Sequence, residues 1–142
     1  MSWLALRSDV KIVGPGHVIL APFMAAAVAG SVTVLIFAVL VMMSNANESH
    51  KIVAFLELWP YAASFWLIGI WFPGGPIWMA LHALRLRTAA AMGIAGAMVP
   101  NVILIGLSHG EVPPFLLITA ISGAAAGLTM WYVAYRNREG TH

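Results

Sequence analysis

The sequence contains no cysteine and very few charged residues. None of the 142 residues is Cys, and only 8% are Asp, Glu, Lys or Arg, whereas a soluble domain is about a quarter charged. The lack of cysteine excludes disulfides, iron–sulfur clusters and Cys-ligated zinc. The net charge of +2 comes from basic residues spread over several segments, with no clustered basic face, so we expect no nucleic-acid partner.

Apolar residues make up 61% of the chain, and they are concentrated in four long runs at residues 22–43, 50–72, 88–107 and 114–135. Because an α-helix rises about 1.5 Å per residue, a run of about 20 residues crosses the roughly 30 Å hydrocarbon layer of a bilayer. We therefore predict an all-α integral membrane protein, with residues 1–142 forming a single domain of four transmembrane helices.

The positions of the Lys and Arg residues predict the orientation in the membrane. The segment before the first run, the loop between the second and third runs, and the tail contain six of the seven, namely Arg7, Lys11, Arg85, Arg87, Arg136 and Arg138. The seventh, Lys51, lies between the first and second runs. The positive-inside rule then places both termini in the cytoplasm. We expect the protein in a bacterial inner membrane.

Prolines predict where the helices begin, bend and end. Pro22 suits the first turn of the first span, where the missing N–H has no cost. Pro60 is expected to kink the second span, because it leaves the carbonyl of Leu56 without its helical partner. The sequence Pro73-Gly74-Gly75-Pro76 is expected to end that span.

Two short amphipathic segments are predicted to lie in the membrane interface, near residues 2–12 and 77–86. The second segment has too few apolar residues to cross the membrane, because Arg85 follows after about two helical turns. On a helical projection Trp78 falls on its apolar face, whereas His82 falls away from that face. We therefore expect this segment to be a separate helix that connects the second and third spans.

Small residues recur at helical spacing in three of the four runs. They are Ala26, Gly30, Ala89, Gly93, Ala97, Gly123 and Gly127, with Gly96 beside the third-span set. In lipid, helices associate mainly where small residues let their backbones approach closely. These positions are predicted to be helix-packing contacts, either within the chain or with a partner.

Two polar residues within the runs are candidates for intramembrane chemistry. Glu57 would serve as a proton or cation site, or it would lie at headgroup depth and pair with Lys51 or His50. Asn101 would bind a ligand, bond to a neighbouring helix, or bond to a backbone carbonyl near Pro100, because an unsatisfied amide in hydrocarbon is costly.

Histidines and aromatic residues are weaker candidates for a metal site or for contacts with a ligand. His50, His109 and Glu111 could meet on the outer face as a metal or redox site, but they lack the spacing of a recognisable ligand pair, so we predict no metal. Trp59, Phe65 and Trp66 are candidate aromatic contacts of the second span. No cofactor is predicted, although contact with a quinone, a carotenoid or another pigment stays open for Phe65 and Trp66.

The scarcity of polar groups in the spans favours binding over chemistry. We expect an accessory or structural subunit of a larger membrane complex, of the respiratory or light-harvesting type, without enzymatic activity. Its partners would be membrane lipids and other transmembrane subunits. The alternatives are a small oligomeric transporter or proton or cation conductor that uses Glu57 and Asn101, and an enzyme with the outer-face metal or redox site.

Overall fold

A computed structural model describes residues 15–44, 50–109 and 114–135, and every regular element in these ranges is a helix. The five α-helices are α1 (Pro15–Ser44), α2 (His50–Gly69), α3 (Gly75–Ala83), α4 (Ala89–Leu107) and α5 (Leu116–Tyr135), and a π-helical segment, Ile70–Gly74, joins α2 to α3. Four helical stretches are long and apolar enough to cross a membrane. The predicted interfacial helix near residues 2–12 lies outside the described residues.

The first helix begins seven residues earlier than the sequence predicted. Pro15, rather than Pro22, occupies its first turn, and Pro22 lies buried inside the helix. The residues between the two prolines are mostly apolar, so the helix can extend through Pro22 and lose one backbone hydrogen bond. Neighbouring helices commonly compensate for such a loss in membrane proteins.

The prediction that the second helix ends at Pro73–Pro76 is wrong, and so is the prediction of a separate helix at residues 77–86. The chain stays helical from His50 to Ala83. In the π-helical segment the hydrogen bonds run from residue i to i+5, which gives the chain another way to satisfy its backbone around Pro73. Pro76 then lies in the first turn of α3, where a proline needs no N–H partner.

The ends of α4 and α5 agree with the predicted runs to within about two residues. Thr88 caps α4, because its hydroxyl accepts a hydrogen bond of 3.1 Å from the backbone N–H of Ala91. Arg85 and His109 have positive φ angles of 60° and 57°. Each lies just past the end of a helix, where the left-handed conformation is a common way to stop one.

The helices pack in the spatial order α2–α1–α5–α4, and their extensive contacts are between neighbours in that order. Small residues dominate the buried positions where α1 meets α2 and α5, including Ala25, Ala26, Ala29 and Ala126. Close approach of backbones therefore replaces the large aliphatic core of a soluble bundle. The first and last helices of the row, α2 and α4, contact each other far less.

Candidate functional site

A groove separates α2, the π-helical segment and α3 on one side from α4 on the other, and α5 forms its floor. Its volume is about 320 Å³, which is within the range of small-molecule sites. Residues from all these elements line it, including Phe65, Trp66, Ile70, Ile77, Trp78 and Leu81 on one wall, Met92, Ala95, Val99, Ile103 and Leu107 on the other, and Gly123, Ala126 and Met130 on the floor.

The groove is apolar along almost its whole length. Of the described residues that line it, Thr119 supplies a hydroxyl, and Trp66 and Trp78 each supply an indole N–H. Thr119 and Trp66 already make hydrogen bonds inside the protein. The groove therefore suits an apolar molecule or side chain better than an ion.

At the base of the groove, α4 and α5 are in backbone contact. A Cβ atom on Gly96 would overlap with the carbonyl oxygen of Gly123, and one on Gly123 would overlap with the carbonyl oxygen of Gly96. Pro100 has no N–H to bond the Gly96 carbonyl, so this oxygen is free to face the Gly123 Cα. Gly127 packs against Met92 in the same way. Such Cα–H···O contacts recur at close helix–helix interfaces.

The other small residues predicted to pack helices also lie against elements of the same chain. A Cβ on Gly30 would lie 2.9 Å from the backbone nitrogen of Ala63, and one on Gly93 would lie 3.3 Å from Cδ2 of Leu128. Ala26 is buried among α1, α2 and α5. Ala89 and Ala97 are half-buried on α4. Intramolecular packing therefore occupies most of these positions.

A buried polar cluster joins three helices in the middle of the bundle. Thr33 Oγ1 lies 2.9 Å from the hydroxyl of Ser122, which has no exposed surface, and 2.8 Å from the carbonyl oxygen of Ala29. It also accepts a hydrogen bond of 3.0 Å from Nε1 of Trp66. The sequence analysis missed Thr33 and Ser122, although a hydroxyl inside an apolar run signals a need for a partner.

Asn101 bonds to its own helix and to a neighbour. Its Nδ2 donates to the carbonyl oxygen of Ala97 at 3.0 Å, and its Oδ1 accepts a hydrogen bond from the hydroxyl of Thr119 on α5. Both ends of the amide thus have partners inside the protein. This arrangement is what helix association requires of a polar side chain in lipid.

Glu57 lies away from the other polar groups of the bundle. Its side chain is exposed, near the start of α2. The side chains of His50 and Lys51, and all of Glu111, lie outside what the structure describes, whereas His109 is exposed at the end of α4. Within the described ranges, no three His, Asp or Glu side chains gather as a potential metal site.

An aromatic cluster closes one end of the groove. His82 Nδ1 and the hydroxyl of Tyr135 are 2.9 Å apart, and their rings stack with centroids 6.1 Å apart. Trp78 packs beside both rings. The prediction that His82 lies away from the face of Trp78 is therefore wrong. In the continuous helix the two residues are one turn apart, and α5 brings Tyr135 between them.

The three aromatic candidates of the second span have different environments. Trp66 is buried, Trp59 donates a hydrogen bond of 2.9 Å to Ser31, and Phe65 contacts Trp66 edge to face. Phe65 is also part of an exposed stripe, which we define as Tyr61, Phe65, Ile68 and Phe72, with exposed fractions of 74%, 63%, 60% and 76%. The intervals of four, three and four residues place these side chains on one helix face.

No protein-family model matches the chain, and no curated protein or solved structure shows significant similarity to it.

Proposed function

We propose that this protein is an accessory subunit of a larger membrane assembly, and that it binds a transmembrane helix of a partner along the aromatic stripe. The observation that carries the proposal is the stripe itself. Three of its four residues are aromatic, and no described element of the chain covers them. Large, rigid rings are enriched where proteins contact each other.

The composition of the other exposed faces supports this choice. On α4 the equivalent row consists of Ile94, Met98 and Val102, which are also well exposed. Aliphatic side chains are ordinary lipid contacts, and Trp and Tyr at a lipid boundary normally lie near the headgroups. Phe65 and Ile68 lie well inside the second span, Glu57–Ala83, so an interfacial belt does not account for them.

The interior of the bundle supports a binding role rather than conduction. Thr33, Ser122, Asn101 and Thr119 bond to one another or to backbone carbonyls. An ion path would need polar groups free to coordinate its cargo. The groove has an apolar lining.

The proposal includes an orientation with both termini in the cytoplasm. The support is the distribution of Lys and Arg, with six of seven on one side. Arg85 and Arg87 follow the end of α3 directly, so they would lie at the cytoplasmic interface.

Gentle detergent extraction followed by native gels and mass spectrometry tests the proposal. We expect the wild-type chain to co-purify with at least one other membrane protein in a defined ratio. Replacing Tyr61, Phe65 and Phe72 by Ala should release the chain from that complex, because it removes three rings from the contact.

In the matched control, Ala replaces Ile94, Met98 and Val102, which are about as exposed as the stripe residues but lie on α4. This variant should keep the partner. A wild-type chain that runs as a lone monomer would refute the proposal, and so would equal loss of partner in both triple variants.

A further inference from the structure

The groove ends at a cluster of hydrogen-bond donors. Trp78 lines the groove at this end, and its indole lies 5.9 Å from the ring of His82 and 6.4 Å from the ring of Tyr135, measured between centroids. Arg87 donates a long hydrogen bond of 3.4 Å to the backbone carbonyl of His82. The guanidinium of Arg87 therefore lies behind Trp78, next to the backbone of His82, and outside the residues that line the groove.

Two of these donors lack a well-placed acceptor. Nε1 of Trp78 and Nε of Arg87 are buried and make no hydrogen bond of normal geometry among the described residues, and the polar group beside Trp78 is the hydroxyl of Tyr135. A buried donor without an acceptor is costly, most of all when it carries charge. A ligand that supplies an acceptor at this point would remove that cost after a small rotation of either side chain.

The charge at this end is also unbalanced. Arg85 adds a second positive charge two residues before Arg87. Among the described residues the acidic side chain is Glu57, which lies about 30 Å from Trp78 along the continuous helix. Within the described ranges, the charged side chains near this end are therefore both basic, which favours an anion.

The groove is long enough to hold a lipid acyl chain. Its α4 wall extends from Met92 to Leu107, which corresponds to about 22 Å at the rise of an α-helix. One leaflet of a bilayer contributes about half of the roughly 30 Å hydrocarbon layer. The groove is thus longer than the hydrocarbon region of one leaflet, and an acyl chain that starts at Trp78 would stay between α2–α3 and α4 along its full length.

We infer that the groove binds one anionic phospholipid, with an acyl chain between α2–α3 and α4 and with its phosphate beside Arg87 and Trp78. Arg matches the geometry of a phosphate, because its planar guanidinium presents several N–H donors at once. Arg87 lies just before α4 begins, and Trp78 lies five residues before the end of α3, which suits a phosphate at the boundary between headgroups and acyl chains. Phe65 and Ile68 belong both to the aromatic stripe and to the groove lining, so a bound lipid would lie beside a partner helix, but the headgroup contact at Arg87 and Trp78 is separate from the stripe.

Native mass spectrometry of the purified full chain tests this site. The chain is mixed in detergent with equal amounts of phosphatidylglycerol and phosphatidylcholine that have the same acyl chains. We expect one phosphatidylglycerol to be retained per chain, in about tenfold preference to phosphatidylcholine, because both carry the same phosphate but the choline of phosphatidylcholine adds a positive charge near Arg87. Equal retention of the two lipids would overturn the inference.

Three variants separate the headgroup contact from the groove. Arg87→Gln should abolish most of the preference, and Trp78→Phe, which keeps the ring and removes the N–H, should reduce the retention of both lipids by a few fold. Arg85→Gln is the matched comparison, because it removes the same charge from an exposed side chain and should reduce the preference much less than Arg87→Gln does. A loss as large in Arg85→Gln as in Arg87→Gln would indicate general surface charge and would overturn the site.

A fourth variant tests the acyl-chain position. Ala95→Phe with Val99→Phe places two rings in the groove from one face of α4, and it should prevent retention of either lipid. Unchanged retention would exclude the groove as the site. Circular dichroism and thermal unfolding confirm that each variant is folded, and the conservative Trp78→Phe change remains informative if a larger substitution unfolds the chain.

Discussion

The two sides of α4 differ in how closely the next helix approaches. Towards α5, glycines bring the two backbones into direct contact at Gly96, Gly123 and Gly127. Towards α2 and α3, the facing residues are larger, and the walls enclose a groove of about 320 Å³. One helix therefore contributes a closed interface and an open site.

The difference follows from the placement of glycine and proline. Pro100 leaves the Gly96 carbonyl without a helical N–H partner, and the glycine on α5 allows this oxygen to approach its Cα. On the groove side, Val99 and Ile103 line the cavity instead of contacting a helix of the bundle closely. The contrast shows that small residues hold α4 against α5, while larger residues on the groove side leave space for a ligand.

The largest expected effect comes from Gly123→Ala. Its new methyl group would overlap with the backbone of Gly96, which cannot move like a flexible side chain. We expect a loss of about 3 kcal/mol or more in the free energy of unfolding, at the upper end for overpacking. Unfolding in mixed detergent micelles, followed by circular dichroism, measures it.

Gly106→Ala is the matched control for that substitution. Gly106 lies on α4, and a Cβ there would meet nothing within 4 Å, so this change should be neutral or slightly stabilising. Comparable destabilisation by both substitutions would contradict the distinction between a backbone contact and an open surface.

A smaller effect is expected for Gly30→Ala, where α1 meets α2. The added methyl would lie 2.9 Å from the Ala63 nitrogen and 3.2 Å from its Cβ, so a shift of a few tenths of an ångström would relieve the contact. We expect about 1–2 kcal/mol of destabilisation. Gly93→Ala should cost less, because its nearest neighbour is the flexible end of Leu128; the reverse order would contradict the geometry.

Thr33→Val tests the polar cluster that holds the α2 wall of the groove in place. The substitution keeps the shape of the side chain and leaves Nε1 of Trp66 without its acceptor. We expect a loss of about 1 kcal/mol, as for other hydrogen bonds between membrane helices. Ser31→Ala removes the acceptor of the exposed hydrogen bond from Trp59 and should cost less stability. If Ser31→Ala cost more than Thr33→Val, the buried polar cluster would not be the main polar contact between these helices.

The smallest change in stability is expected for Ala95→Phe with Val99→Phe. Added volume is costly where a core is already full, but these rings enter space that is empty in the groove. The free energy of unfolding should therefore stay within about 0.5 kcal/mol of wild type. A loss comparable to that of Gly123→Ala would show that the groove is too narrow to accept a ligand.

The sequence predicted the helical class and the four apolar segments, because both depend on composition over long windows. It did not predict the continuous helix through Pro73–Pro76, because proline and glycine end most helices in water and a π turn has no clear sequence signal. The start of the first helix was also misplaced, since Pro15 and Pro22 both suit a first turn.

The groove could not be predicted in the same way. It arises from the order of helices in space, which places α1 and α5 between α2 and α4. The hydropathy of the sequence does not determine that order. The hydrogen bonds from Thr33 to Ser122 and from His82 to Tyr135 connect residues 89 and 53 positions apart. Such pairings become visible after the helices have been arranged.

Site-specific photocrosslinking in intact membranes tests the proposed function most directly. A benzophenone amino acid is introduced singly at Phe65 or Ile68 on the aromatic stripe, and at Met98 or Val102 on α4 as the comparison. The account predicts a discrete protein adduct from the α2 positions and lipid adducts alone from the α4 positions. Lipid adducts alone from Phe65 and Ile68 would contradict it.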